Sequence, residues 1–139
     1  MSRYHDKCLV LYRFADELAR LSACTRQQNA AIVFANDCSA VYSIGYNGPA
    51  RGRPNSACNG EEGNCGCVHA EANALLRASC GGVMYCTTSP CMMCAQMLLN
   101  HGGIYVLVYD KQYRDPSGIQ MLADYGVAVH RREDDVDFR

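Results

Sequence analysis

The 139-residue chain has almost no net charge, and it lacks long apolar runs and internal repeats. Thirteen basic residues stand against 14 acidic ones, a formal charge of −1. This balance excludes a general polyanion-binding or membrane-binding surface and leaves room only for a local basic patch. Neither nucleic acid nor a membrane is therefore expected as a partner. No apolar stretch approaches the roughly 20 residues that span a bilayer. The opening MSRYHDKCLVLYRFADELARL scatters its charges, whereas a secretory signal needs a basic start and then an apolar core. The expected location is the cytoplasm. No linker or second domain is apparent, so residues 1–139 are expected to form one domain, long enough for a real core. Apolar residues make up 49% and charged residues 19%, which is globular composition and not disorder.

Ten cysteines are present: Cys8, Cys24, Cys38, Cys58, Cys65, Cys67, Cys80, Cys86, Cys91 and Cys94. Without a secretory signal, metal binding is a better reading of the clustered ones than disulfides. Cys8, Cys38, Cys80 and Cys86 stand alone and read as small buried residues.

Apolar side chains at Leu11, Phe14, Ala15, Leu18 and Leu21 predict a first helix within residues 4–23. AAIVFA (30–35) and AVYSIGY (40–46) flank the turn NDCS and read as a hairpin. Residues 47–68, rich in Gly, Pro and Asn, form a long loop, and such loops are usually functional. HAEANALLRAS (69–79) is a helix stopped by Gly81 and Gly82, and VMYCTT is a short strand. SPCMMCAQMLLNH (89–101) has Ser-Pro before it and Gly102-Gly103 after it, a strong helix signature. IYVLVY (104–109) is a buried-type strand, 116–125 suits a helix, and VAVH is a last strand before the charged tail REDDVDFR, expected to be exposed. The order α-β-β-α-β-α-β-α-β predicts a mixed sheet of about five strands, a hairpin first and parallel pairing later, with helices on both faces.

Cys91 and Cys94 stand three apart at a helix start, so both sulfurs reach one ion, and the helix N-terminus favours thiolates. If the two helices are neighbours, His69 joins them. One imidazole and two thiolates suit Zn²⁺ and leave a fourth position for water, the catalytic pattern. Glu71, two residues beyond His69, does not share its helical face and reads as a proton carrier beside that water. Each half alone has an ordinary reading, as an acidic helix start or as a cap with buried cysteines. Together they form the H-x-E…P-C-x-x-C signature of zinc-dependent nucleobase deaminases.

Four blocks, GYNGPARG (45–52), CVHAEANAL (67–75), MYCTTSPCMMCA (84–95) and YDKQYRDPSG (109–118), resemble those of deoxycytidylate (dCMP) deaminases. The likeness runs from about residue 24 to residue 130. Cytidine, guanine and tRNA adenosine deaminases share the zinc signature but generally lack the Tyr-Asn-Gly and Tyr-Arg-Asp blocks. The resemblance implies a three-layer α/β/α, cytidine-deaminase-like fold and hydrolysis of dCMP to dUMP and ammonia, feeding thymidylate synthesis. It implies that His69, Cys91 and Cys94 hold the catalytic zinc. Glu71 would move protons from water to N3 of cytosine and to the departing ammonia as hydroxide attacks C4. Asn47 would bind the deoxyribose, and the Ala70 N–H and Ser89 carbonyl the base edge. Arg51, Arg53 and Arg114 are the candidates for the phosphate, with solvated loop arginines as the alternative. Tyr113 could border the pocket or belong to the core or an interface. Asn29 and Ala30 depart from the family pattern, which usually has an apolar residue and then Gly before the first strand, and the region before His-Ala-Glu is short. These departures bear on allosteric nucleotide binding more than on chemistry.

Some phage enzymes resembling this chain carry a second, structural zinc, and the matching positions here are Cys24, Cys58, Cys65 and Cys67. Four thiolates would close a tetrahedral site and tie down loop 47–68; the alternative is free, partly exposed thiols. The resemblance also brings a homo-oligomer, commonly a hexamer, and dCTP and dTTP as effectors, neither of which any residue decides. A phage source would place the protein in the host cytoplasm. The competing readings are a zinc deaminase acting on another cytosine nucleotide or nucleoside or on a base in RNA, and a non-catalytic zinc-stabilised binding module, which the presence of Glu71 disfavours.

Overall fold

The computed structural model describes residues 2–139. Helix α1 (Arg3–Ala19) starts where the Ser2 hydroxyl accepts the His5 N–H at 3.1 Å. Strands β1 (Ala30–Phe34) and β2 (Val41–Tyr46) form the expected hairpin. After the loop come α2 (Ala70–Arg77), β3 (Gly82–Thr88), α3 (Met92–His101), β4 (Ile104–Lys111), α4 (Ser117–Asp124) and β5 (Ala128–Arg131). The strand order is β2-β1-β3-β4-β5. β3, β4 and β5 run parallel, and β1 is antiparallel to both β2 and β3. The expected mixed five-stranded sheet with helices on both faces is the observed one.

Side-chain alternation divides the sheet between two cores. Ala30, Ile32, Phe34, Val83, Tyr85, Val106 and Val108 face α1. Ala31, Val33, Met84, Cys86 and Leu107 face α2, α3 and α4, which contribute Ala74, Leu98 and Leu122. Central β1 is buried along its whole length, as expected of a strand covered on both faces.

Four sequence expectations shift. The buried stripe of α1 is Tyr4, Cys8, Tyr12, Ala15, Leu18 and Ala19, whereas Phe14 and Leu21 are exposed. Aromatic packing sets this rotation: Tyr12 stacks on Tyr85 at 4.4 Å between centroids and meets Phe34 edge-on at 6.3 Å. The helix also ends at Ala19 and not near residue 23, because the Ser22 hydroxyl donates to the Asn47 carbonyl at 2.7 Å and draws the chain away. The acidic tail is tied down: Arg132 reaches Asp16 at 2.6 Å and the Tyr85 hydroxyl at 2.9 Å, and the Phe138 ring meets Tyr4 edge-on at 6.1 Å. Of the four isolated cysteines, Cys8 and Cys86 are buried and Cys38 half-buried, but Cys80 is exposed in the turn between α2 and β3. Among the described residues no helix is long and apolar enough to cross a membrane.

The antiparallel and parallel pairings together bring the end of β2, the start of β1 and the end of β3 to one edge, where α2 and α3 also begin. Gly45 sets the seat of α2 against β2. A Cβ there would run into the Ala70 carbonyl oxygen and lie 2.5 Å from the Ala74 nitrogen. Gly45→Ala is expected to cost about 1–3 kcal/mol through overpacking, read as a lower urea midpoint, and to weaken metal retention because α2 would move away from the sheet.

Candidate active site

A cleft of about 530 Å³ opens at this edge. His69 is the N-cap of α2 and Cys91 the N-cap of α3, both with extended backbone (φ −70°, ψ 152° and φ −69°, ψ 171°). Cys94 is the third residue of α3, close to its own cap. The expected pairing of two cysteines on one helical face is therefore a pairing of cap and first turn. Likewise, His69 lies just outside its helix, so the rule that residues two apart face differently does not separate it from Glu71. Both line the cleft.

The His69 Nδ1 atom is 3.5 Å from the Cys91 sulfur and 3.4 Å from that of Cys94. All three donor atoms lie within 4.8 Å of one another. A tetrahedral zinc with bonds of about 2.1 Å to nitrogen and 2.3 Å to sulfur spaces its donors roughly 3.5–3.8 Å apart. The set fits zinc in chemistry and in spacing. Hydrogen bonding from the Cys94 thiol and then from His69 pulls the Cys91 thiol down to about 4, which favours its thiolate. Cys94 is pushed up by that same bond with Cys91 and by burial. The bond to Cys91 raises His69 above the ordinary imidazole value.

Glu71 is only 6% exposed, and burial raises its carboxyl above the usual carboxylate range. A carboxyl that can hold a proton at the wall of a cleft is suited to proton transfer. The Pro90–Cys91 turn is backed by α4, where Gly118 permits contact: a Cβ there would lie 2.6 Å from the Pro90 carbonyl oxygen.

A second cluster stands beside the first. The donor atoms of Cys24, Cys58, Cys65 and Cys67 also lie within 4.8 Å of one another. The Cys24 sulfur is 3.8 Å from that of Cys65 and 3.9 Å from that of Cys58. Those separations match the roughly 3.8 Å between sulfurs on a tetrahedral zinc with bonds of about 2.3 Å. The Thr25 hydroxyl and N–H, 3.3 and 3.4 Å from the Cys58 sulfur, lower that thiol to about 6. Loop 47–68 is otherwise held by a few contacts: Gly48 bridges Val68, and the Asn59 N–H donates to the Cys65 carbonyl at 2.9 Å.

The structure sorts the remaining predicted residues. Ala70, Ser89, Tyr113 and Arg114 line the cleft, and the Ser89 hydroxyl accepts the Tyr113 N–H at 2.7 Å. The Arg114 guanidinium lies 4.8 Å from the Tyr113 ring centre and pairs with Glu62 at 3.3 Å, not with its neighbour Asp115. Asn47 also lines the cleft, but its amide is engaged at both ends: the oxygen accepts the Asn29 N–H at 2.8 Å and the nitrogen donates to the Gln27 carbonyl at 2.7 Å. Arg51 and Arg53 are exposed on the loop and are not among the cleft-lining residues. The cation missed from the sequence is Arg26, exposed and lining the cleft. Its signal was available: it lies two residues after Cys24 in the short run CTRQQN that leads into β1.

Comparison with known proteins matches this geometry to a family. The family model for the cytidine and deoxycytidylate deaminase zinc-binding region covers residues 6–110. Deoxycytidylate deaminase from Schizosaccharomyces pombe is 30% identical over 131 residues, covering 81% of this chain and 40% of the relative. The deoxycytidylate deaminase of Saccharomyces cerevisiae is 31% identical over 135 residues, covering 86% and 42%. The chain thus spans about two fifths of the length of these curated relatives. A crystal structure of dCMP deaminase from the cyanophage S-TIM5, in complex with dCMP and dUMP, superposes with a TM-score of 0.80 at 30% identity, covering 94% of this chain and 98% of that one. With its fold, its His-and-two-Cys set and the matching zinc-binding region, the chain belongs to the cytidine and deoxycytidylate deaminase family.

Proposed function

We propose that residues 1–139 form one catalytic domain that deaminates dCMP to dUMP and ammonia by zinc-dependent hydrolysis. The observation that carries this reading is the buried Glu71 in the same cleft as the His69, Cys91 and Cys94 donor set. A zinc ion held by these three ligands would act as a Lewis acid that makes water a better nucleophile near neutral pH. Glu71 accepts a proton from the attacking water and delivers it to N3 of cytosine; it then takes the proton of the new C4 hydroxyl and passes it to the amino group, which leaves as ammonia as the C4 carbonyl forms. The Ala70 N–H and the Ser89 carbonyl hold the edge of the base, so that the attack is between positioned partners. Water adds, ammonia leaves, and no oxidant or further co-reactant is consumed.

The phosphate is assigned to the cleft-lining cations, Arg26 first and Arg114 second, since Arg114 already pairs with Glu62. Arg51 and Arg53 stand away from the cleft and are left to solvent. Cys24, Cys58, Cys65 and Cys67 are proposed to hold a second, structural zinc, a reading supported by their spacing. The proposal extends to a cytoplasmic homo-oligomer, a hexamer after the family pattern, which would cover exposed apolar residues such as Val10, Phe14, Tyr42 and Tyr46, and to dCTP and dTTP as effectors.

The function is checked by assaying dCMP, dCTP, deoxycytidine and cytidine in parallel, with and without dCTP and dTTP. dCMP should be preferred over the nucleosides by at least about tenfold in kcat/KM, the worth of one good charged contact; equal activity on deoxycytidine would remove the phosphate from the reading. Glu71→Gln should lower kcat by about 10²–10⁴-fold, the usual share of general acid–base catalysis, with metal retained. Arg26→Ala should raise KM for dCMP about tenfold or more, as loss of a charge-assisted contact does, whereas Arg51→Ala should leave it within about twofold. Metal analysis should find two zinc ions per chain, falling to one when Cys65 and Cys67 are both replaced by Ser; an unchanged single zinc would refute the second site.

A further inference from the structure

The cleft wall holds an amide with one free end. Asn29 immediately precedes β1, and by strand register it stands between Asn47, just after β2, and Thr88, the last residue of β3. A directed chain of hydrogen bonds orients its side chain. The Ala30 N–H donates to the Thr87 hydroxyl at 3.0 Å, and the Gln27 amide donates to the Thr88 hydroxyl at 3.3 Å. Each hydroxyl, having accepted one bond, donates its own proton to the Asn29 Oδ1 atom, at 3.3 Å from Thr87 and 2.8 Å from Thr88. The oxygen end is therefore fixed toward the sheet. The Nδ2 end carries two N–H donors with no protein partner among the described residues, on a half-buried side chain that lines the cleft.

We propose that Asn29 is the specificity-determining residue that donates a hydrogen bond to the 3′-oxygen of the substrate's deoxyribose. The inference rests on the dCMP reading above. In that substrate the sugar bridges base and phosphate, and its only free hydroxyl is at C3′. The base end of the cleft is marked by Ala70, Glu71 and Ser89, and the cation Arg26 lies three residues from Asn29 on the same segment. Asn29 stands between them, hydrogen-bonded to the residue before Ser89. The neighbouring Asn47 amide is committed at both ends to the backbone of Gln27 and Asn29. It shapes the segment that presents Asn29, and the free donors belong to Asn29.

The test compares dCMP with 2′,3′-dideoxycytidine monophosphate on the zinc-loaded protein. The unaltered enzyme should prefer dCMP by about tenfold in kcat/KM, the worth of one well-formed neutral hydrogen bond. Asn29→Val should erase that preference through a higher KM for dCMP, with kcat within about twofold and with the dideoxy nucleotide handled as before. Asn29→Ala leaves room for water to satisfy the Thr87 and Thr88 hydroxyls and serves as the second variant should the valine protein fail to fold; it should show the same loss. A tenfold preference for dCMP that persists in the folded variant overturns the role of Asn29. Failure of the unaltered enzyme to turn over dCMP would instead overturn the underlying function, so the two results are distinguishable.

Discussion

One imidazole nitrogen and two sulfurs must lie within about 4 Å of one another to share a zinc ion, and much of this fold answers to that requirement. His69 and Cys91 are 22 residues apart in sequence. They meet because β3 lies between them in sequence and sends the chain back to the edge from which α2 set out. Both residues are N-caps, and at Cys91 the helix N-terminus favours negative charge on sulfur. Close backbone approaches then hold the two helices in place: Gly45 against α2, and Gly118 of α4 against the Pro90–Cys91 turn. A methyl group at either glycine would force these elements apart.

The same edge supplies the rest of the site. Because β1 runs antiparallel to both of its neighbours, its first residues meet the last residues of β2 and β3. The segment Cys24–Asn29 is thereby drawn across the cleft. It brings one thiol for the second cluster, one cation, and the amides of Gln27 and Asn29. Glu71 is buried at the same edge, and that burial raises the proton affinity of its carboxyl.

Motif spacing made the centre of the site legible before any coordinates. His69, Glu71, Cys91 and Cys94 each occupy a helix start announced by its own flanking residues, and short-range signals survive folding. The phosphate candidates were less legible. Arg51 and Arg53 follow the Tyr-Asn-Gly block closely in sequence, yet the loop turns them outward, while Arg26, outside the motif blocks, lies at the cleft. The face of α1 was misjudged for a similar reason. Counting leucines cannot reveal that Tyr12 has Tyr85 to stack on, a contact 73 residues distant in sequence.

The sequence by itself determined the order of elements, the mixed sheet and the residues expected as zinc ligands and proton carrier. These follow from local periodicity, capping residues and ligand chemistry, which depend on near neighbours. Only the tertiary structure decided which arginines border the cleft, that the two cysteine clusters stand side by side, and that Asn47 is bound to the backbone while Asn29 keeps a free donor. Those outcomes depend on strand register across β2, β1 and β3. Register is a long-range property, settled by the packing of two cores at once, and no short stretch of the chain encodes it.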